Sequence, residues 1–98
     1  MAQPLLLTPT EITEHLQTLP NWTTDGQTLQ CTFQFENFVQ SVDFVNRLVE
    51  PAETIGHHPD IAIAHNRVTV SFTTHDAGGL TQLDFDGAGA IAEPCPAR

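Results

Sequence analysis

The stretch DIAIAHNRVTVSFTT, residues 60–74, decides the fold class of this chain. Its second half places Val68, Val70 and Phe72 on one face and small polar residues on the other, the period-two pattern of a half-buried strand. Its first half alternates Ile with Ala and predicts a second strand. Asn tolerates positive φ, so Asn66-Arg67 predicts a tight turn. Residues 60–74 therefore predict an antiparallel hairpin with one apolar face.

The register of this hairpin depends on the length of its turn. A two-residue turn at Asn66-Arg67 pairs residue 65 with residue 68 and, along the same ladder, sets His58 opposite His75. Directly opposed residues have Cα atoms roughly 4.5–5.5 Å apart. A longer turn shifts the register but leaves these histidines at one end of the hairpin.

Outward from this hairpin, the same order of elements occurs once before it. Thr8-Pro9-Thr10-Glu11 combines a capping Thr, an early Pro and a Glu three residues after the cap, which predicts a helix start. Asp25-Gly26 predicts the turn of a first hairpin. The arm after this turn, residues 29–35, has Leu29 and alternate residues on one face.

Two more helices are predicted on either side of the second hairpin. Asn37 is a candidate cap for the longer one, Gly56 is a candidate terminus, and Pro51 is expected to kink or split it. Thr81 is the predicted cap of a short last helix. The order helix, hairpin, helix, hairpin, helix predicts an α+β, two-layer fold, with a four-stranded antiparallel sheet covered by three helices on one face.

Length and composition limit the possible functions. The 98 residues make one domain, 1–98, with flexible termini expected at residues 1–6 and 93–98. The net charge of −9, with three Arg and no Lys, disfavours nucleic acid as a partner. No apolar run approaches the roughly 20 residues of a membrane span. Cys31 and Cys95 do not form the pattern of a disulfide framework, which favours a cytoplasmic protein.

Three of the five histidines lie in two short segments, His57-His58 and His75, at the predicted end of the second hairpin. Imidazole has an unperturbed pKa of about 6.5 and can donate or accept a proton near neutral pH. This clustering predicts an acid/base site. From residue type alone, a three-histidine metal site is an alternative, although adjacent histidines chelate one ion poorly.

The spacing of these residues resembles that of the pterin-4a-carbinolamine dehydratase family. The similarity is carried by Glu53-x-x-x-His57-His58-Pro59, Asn66, Thr74-His75 and Gly79-Leu80-Thr81-x-x-Asp84, without gaps from about Ala52 to Asp84. It extends more weakly through Trp22 and Phe33-x-Phe35-x-x-Phe38. Two adjacent histidines followed by Pro, with a third histidine at this distance, form a fairly specific pattern.

The resemblance implies both a fold and a reaction. The fold is three helices on one face of a four-stranded antiparallel sheet, in homodimers or homotetramers. The reaction removes water from 4a-hydroxytetrahydropterin to give a quinonoid dihydropterin, in the recycling of tetrahydropterin after aromatic amino-acid hydroxylation. It uses no metal and no organic cofactor, because the pterin is itself the substrate.

The resemblance also implies site residues. His57 and His75 would be the acid/base pair, and His58 would bind and orient the pterin. Substrate-binding positions would be Glu53, Pro59, Asp60, Thr74 and Asp84, with Glu53 or Asp84 able to hold an imidazole tautomer. Neighbouring residues of a regular strand face opposite ways, so His57 and His58 share a pocket only where the backbone is irregular.

Three positions depart from the family pattern: Ile61 and His65 stand where aromatic residues are common, and Pro51 lies in a usually continuous helix. Plain structural roles remain open for some residues. Thr81-x-x-Asp84 is itself a capping-box pattern, and Glu53 is explained equally well as an exposed charge. A non-catalytic assembly or dimerisation module of the same fold, or a second role binding a protein partner, is the alternative function.

Overall fold

The structure, a computed structural model, describes residues 5–97. Its elements follow the predicted order, with a short 3-10 turn before the last helix. They are α1 (Pro9–Leu16), β1 (Thr23–Thr24), β2 (Leu29–Gln34), α2 (Phe38–Ile55), β3 (Asp60–Ala64), β4 (Arg67–Phe72), the 3-10 turn His75–Ala77 and α3 (Gln82–Gly89). The predicted caps Thr8, Asn37 and Thr81 and the predicted terminus Gly56 all have these roles.

The four strands form one antiparallel sheet in the order β1-β2-β4-β3. Side chains on one face are buried under the helices: Leu29, Cys31, Phe33, Val68, Val70 and Phe72. Phe44 and Leu48 of α2, and Phe85 and Ala88 of α3, pack into the same core. The other face carries polar residues, among them Thr32 and Thr69, whose hydroxyls lie 3.1 Å apart. The predicted α+β, two-layer fold is confirmed.

The predicted turn of the second hairpin is wrong by one position, so each residue of β3 pairs two residues earlier in β4 than predicted. Ala64 pairs with Arg67, so the two turn residues are His65 and Asn66, and the ladder begins at Asp60 without reaching His58. His65, with φ 55°, takes the left-handed conformation expected of Asn66. Asn66 instead fixes the turn to the end of β2: its side chain donates to the Phe35 carbonyl and its own carbonyl accepts from the Phe35 N–H.

Of the kink or split predicted at Pro51, the split is wrong, because α2 runs unbroken from Phe38 to Ile55. Pro lacks the N–H that would bond to the fourth residue before it. The turn after Pro51 is nevertheless closed, since the N–H groups of Gly56 and His57 both donate to the Ala52 carbonyl, at 2.9 and 3.2 Å. Leu48, buried in the core, anchors the preceding turn.

The prediction that Cys31 and Cys95 form no disulfide framework is wrong as well: Cys31 in β2 and Cys95 form a disulfide. The sequence separation of 64 residues hides the pairing, because only the folded sheet brings Cys95 to β2. Cys95 is buried, and its carbonyl accepts a hydrogen bond of 3.0 Å from the Asn21 side chain. The described part of the C-terminal segment, residues 93–97, is therefore held at Cys95, and the cysteine argument for a cytoplasmic location no longer applies.

Of the two termini predicted to be flexible, residues 1–4 and 98 lie outside the described residues 5–97. Leu5 and Leu6 are exposed, whereas the Leu7 N–H donates to the Leu80 carbonyl at 2.9 Å. Within residues 5–97, no helix has the length and apolar character needed to cross a membrane.

Candidate active site

The three histidines of interest are placed by the end of α2 and by the turn after β4. Gly56 ends α2 with φ 73°, a conformation that costs glycine little, and residues 57–59 have no regular structure. The strand rule that separates neighbouring side chains therefore does not apply there. The His57 side chain points inward and is 12% exposed, whereas that of His58 is 62% exposed.

Asp84 is the buried centre of the site. This carboxyl, 0% exposed, lies in the first turn of α3, with one oxygen 2.6 Å from His57 Nε2. Its other oxygen accepts hydrogen bonds of 2.9 Å from the Thr74 hydroxyl and from the Thr81 N–H. A buried carboxylate is tolerated only when its oxygens are bonded in this way. Asp84 therefore closes the capping box of α3 and holds His57.

Thr74 and Thr81 extend this network on the side away from His57. Both are buried, and their hydroxyl oxygens lie 2.7 Å apart. Thr74 leaves β4, pairs its backbone with Gly79, and immediately precedes His75. The network therefore connects His57, through Asp84, to Thr74, the residue directly before His75.

The ring of His57 also has an apolar support. It stacks on Phe72 at a centroid distance of 6.0 Å and an interplanar angle of 21°. Behind Phe72 lies Gly87 of α3, where an added Cβ would come within 2.5 Å of the Phe72 ring. Gly87 thus allows α3 to approach Phe72 closely, which explains a glycine that weakens the helix.

The remaining candidate residues lie nearer to the surface. His58 bonds through Nε2 to the carboxylate of Glu53, one turn back in α2, and both are exposed. His75 and Asp60 are exposed, and Pro59 is half-buried beside His57. The structure thus joins His57 to Asp84 and Thr74, and His58 to Glu53, with His75 next to Thr74 in the chain.

Two other features bear on what the site can bind. Across residues 5–97, no group of three or more His, Cys, Asp or Glu is arranged to hold a metal ion. A groove of about 470 Å³ runs between α2 and residues 90–93, but none of the three histidines lines it. Its lining is mainly apolar, with Arg47 and Glu93 forming an exposed ion pair of 3.8 Å.

Three residues that support the site, Phe72, Thr81 and Gly87, were not predicted to belong to it. The alternating pattern around Phe72 predicts a core residue. Thr81 is predicted as a helix cap, and Gly87 as a position that weakens its helix. Each of the three residues thus had a structural explanation near it in the sequence, and none pointed to the site. Their part in the site depends on the packing of α3 against β4, which a single sequence does not show.

Comparisons with known proteins show the family of the chain. The family described as Pterin 4 alpha carbinolamine dehydratase matches residues 5–93. Two relatives carry that enzyme name provisionally: one from Cyanothece sp. is 55% identical over 95% of this chain and 94% of its own, and one from Picosynechococcus sp. is 58% identical over 87% and 92%.

One solved structure extends the comparison to three dimensions. It is a crystal structure described as a transcriptional coactivator/pterin dehydratase from Brucella melitensis, 36% identical to this chain, with a TM-score of 0.79. The alignment covers 89% of this chain and 98% of the other. The family match over residues 5–93 and relatives that are 55% and 58% identical show that the chain belongs to the pterin 4 alpha carbinolamine dehydratase family.

Proposed function

We propose that this protein dehydrates 4a-hydroxytetrahydropterin to a quinonoid dihydropterin by histidine general acid/base catalysis. The observation that carries the proposal is the buried bond between His57 and Asp84, within a family whose description names this reaction. A carboxylate bonded to one imidazole nitrogen fixes the ring and leaves the other nitrogen for proton transfer. Family membership alone would not supply such an oriented base.

The proton balance of the reaction requires one acid and one base. The C4a–O bond breaks as the leaving hydroxyl takes a proton and departs as water. A ring nitrogen loses a proton as its electron pair forms the new double bond. We assign these two transfers to His57 and His75, and the positioning of the pterin to His58, held by Glu53. No metal or organic cofactor takes part in this scheme.

The proposal also covers the pterin contacts, the pathway, the location and the oligomeric state of the protein. Exposed Asp60 and half-buried Pro59 adjoin the histidines and are proposed pterin contacts. Thr74 and Asp84 were also predicted to contact the pterin, but their hydrogen bonds favour a role in holding His57. A role in tetrahydropterin recycling, a cytoplasmic location and a homodimer or homotetramer stay predictions of this proposal.

A stopped-flow absorbance assay tests the activity. Synthetic 4a-hydroxytetrahydropterin is mixed with purified protein, with and without EDTA, and with His57→Ala, His75→Ala and His65→Ala. His65, exposed at the hairpin turn, is the matched histidine control. We expect acceleration that survives EDTA and the His65 change but falls about 100-fold or more in each of the other two variants. No acceleration by the folded wild-type protein would overturn the proposal.

The second candidate is a non-catalytic protein-binding module. It is favoured by the description of the Brucella melitensis neighbour as a coactivator as well as a dehydratase. Retention of His57, His58 and His75 favours the enzyme instead, since a module that only binds a protein has no need of them. A partner whose binding survives His57→Ala and His75→Ala, with no dehydration by wild type, would select the module.

A further inference from the structure

The hydrogen bonds around Asp84 have one possible direction. An ionised carboxylate only accepts, so the single hydroxyl proton of Thr74 is donated to Asp84 at 2.9 Å. In the 2.7 Å contact between the two threonines, Thr81 must then donate to Thr74. The Thr81 oxygen in turn accepts from the Leu83 N–H of α3 at 3.3 Å. The chain of donors therefore runs from Thr81 through Thr74 to Asp84.

The Asp84 carboxylate also determines which nitrogen of His57 carries a proton. The other Asp84 oxygen lies 2.6 Å from His57 Nε2 and also accepts. His57 therefore carries hydrogen on Nε2 in both its neutral and its protonated form. The nitrogen that gains and loses a proton is Nδ1, and any reaction step at His57 takes place there.

We infer that Thr74 is a positioning residue, whose hydroxyl, with Thr81 behind it, holds Asp84 as the acceptor that keeps the His57 proton on Nε2. Its effect on turnover rests on the proposed dehydratase function, whereas its effect on His57 does not. Thr74 acts through Asp84 rather than on the pterin, because its side chain is buried, at 6% residue exposure, and its one proton is committed.

This assignment differs from a substrate-binding role in a measurable way. A residue that binds substrate equally in the ground and transition states raises KM when removed, whereas a residue that orients the reacting group lowers kcat. Thr74→Val keeps the shape of the side chain and removes the donor. The hydrogen bond lost is one to a charged group, so a fall in kcat of about tenfold or more is expected, with KM nearly unchanged.

The matched control lies in β4, the strand that precedes Thr74. Thr69 of β4 forms a hydroxyl pair with Thr32 at 3.1 Å on the opposite face of the sheet. Thr69→Val therefore removes a threonine hydroxyl and its hydrogen bond without touching Asp84. Thr74→Ser restores the hydroxyl and serves as the rescue variant, which also separates loss of the bond from failure to fold.

The experiment is 15N NMR of the imidazole nitrogens in the full-length protein, with His57 assigned by its absence in His57→Gln. In wild type we expect neutral His57 as the Nε2–H tautomer alone. Thr74→Val is expected to give a mixture of both tautomers, whereas Thr69→Val and Thr74→Ser keep the wild-type signal. A wild-type Nδ1–H tautomer, or a Thr74→Val spectrum identical to wild type, overturns the inference.

Parallel kinetics separate this inference from the proposed function. If wild type shows the Nε2–H tautomer and Thr74→Val shifts it, but neither protein dehydrates the pterin, the positioning role stands and the proposed activity fails. If wild type is active and Thr74→Val raises KM without changing the tautomer, the activity stands and Thr74 is a binding residue. These two outcomes cannot be confused.

Discussion

Helices α1 and α3 begin with the same local device and differ in where it lies. At α1, the Thr8 hydroxyl accepts from the Glu11 N–H at 3.2 Å, and Glu11 accepts from the Thr8 N–H at 2.9 Å. At α3, Thr81 and Asp84 form the equivalent box. The first box is exposed to solvent, whereas Thr81 and Asp84 are each 0% exposed.

This difference in burial gives the two acids different roles. Glu11 can turn to water when its helix frays, so it contributes only a cap. Asp84 has no water to turn to, and its spare acceptor capacity is filled by Thr74 and His57. The comparison shows that a capping box becomes part of a reactive site when its acid is enclosed by other polar groups.

The largest expected difference follows from removal of the two acids. Asp84→Ala leaves the Thr74 hydroxyl, the Thr81 N–H and His57 Nε2 without their acceptor in the core. We expect a loss of about 3–5 kcal/mol in the free energy of unfolding, as for one partner of a buried pair. Glu11→Ala should cost a small fraction of this. Urea denaturation of both variants measures the difference, and equal midpoints would refute the role given to burial.

Reduction of the Cys31–Cys95 bridge tests whether the bridge affects only the stability of the fold or also the state of His57. The bridge ties the chain beyond α3 to β2 and lies beside Asn21, which follows α1. We expect dithiothreitol to lower the free energy of unfolding by about 2–4 kcal/mol, and Cys95→Ser to reproduce this without reductant. The His57 tautomer should not change. A thiol titration that finds two free cysteines in oxidised protein would contradict the bridge.

Truncation of the two capping threonines should give unequal losses. Thr8→Ala removes a cap and should cost about 1 kcal/mol. Thr81→Ala removes a cap and also the donor to buried Thr74, which adds about 1–3 kcal/mol. Thermal or urea unfolding compares the two variants under one set of conditions. Losses of the same size would mean that the Thr81–Thr74 contact adds nothing to stability.

The smallest expected effect is on pH dependence at α1. The backbone and then the side-chain hydrogen bond of Thr8 lower the pKa of Glu11 from its ordinary 4.5. A folded-state pKa below the unfolded one means stability that is present above pH 4.5 and is lost as pH falls through the lower, folded value. Glu11→Gln should remove this small acid-dependent part, measured as the pH slope of unfolding below 4.5. An unchanged slope would contradict it.

The sequence predicts those parts of the fold that local rules govern. Alternation in 68–72 placed Val68, Val70 and Phe72 inward, and the caps at Thr8, Asn37 and Thr81 were correct. The predicted position of the turn was wrong because Asn66 contacts Phe35, and His65 adopts the positive φ instead. That contact joins two hairpins and has no local signature.

The site divides in the same way. His57, His58 and His75 could be chosen as candidates from spacing and resemblance, and Asp84 from either the family pattern or the capping box. Which role Asp84 performs was undecided, because it depends on burial. The Phe72 stack, the Thr74–Thr81 contact and the Cys31–Cys95 bridge each join segments distant in sequence, so they follow only from the folded chain.

The role of the buried Asp84 is best tested by the dehydration rates of wild type, Asp84→Asn and Glu11→Gln, in the stopped-flow assay with synthetic 4a-hydroxytetrahydropterin. Both changes replace the acid of a capping box by its amide, and only one of these acids holds His57. We expect Glu11→Gln to match wild type and Asp84→Asn to be slower by about 100-fold. An Asp84→Asn variant as fast as wild type, or a wild type no faster than the uncatalysed reaction, would contradict it.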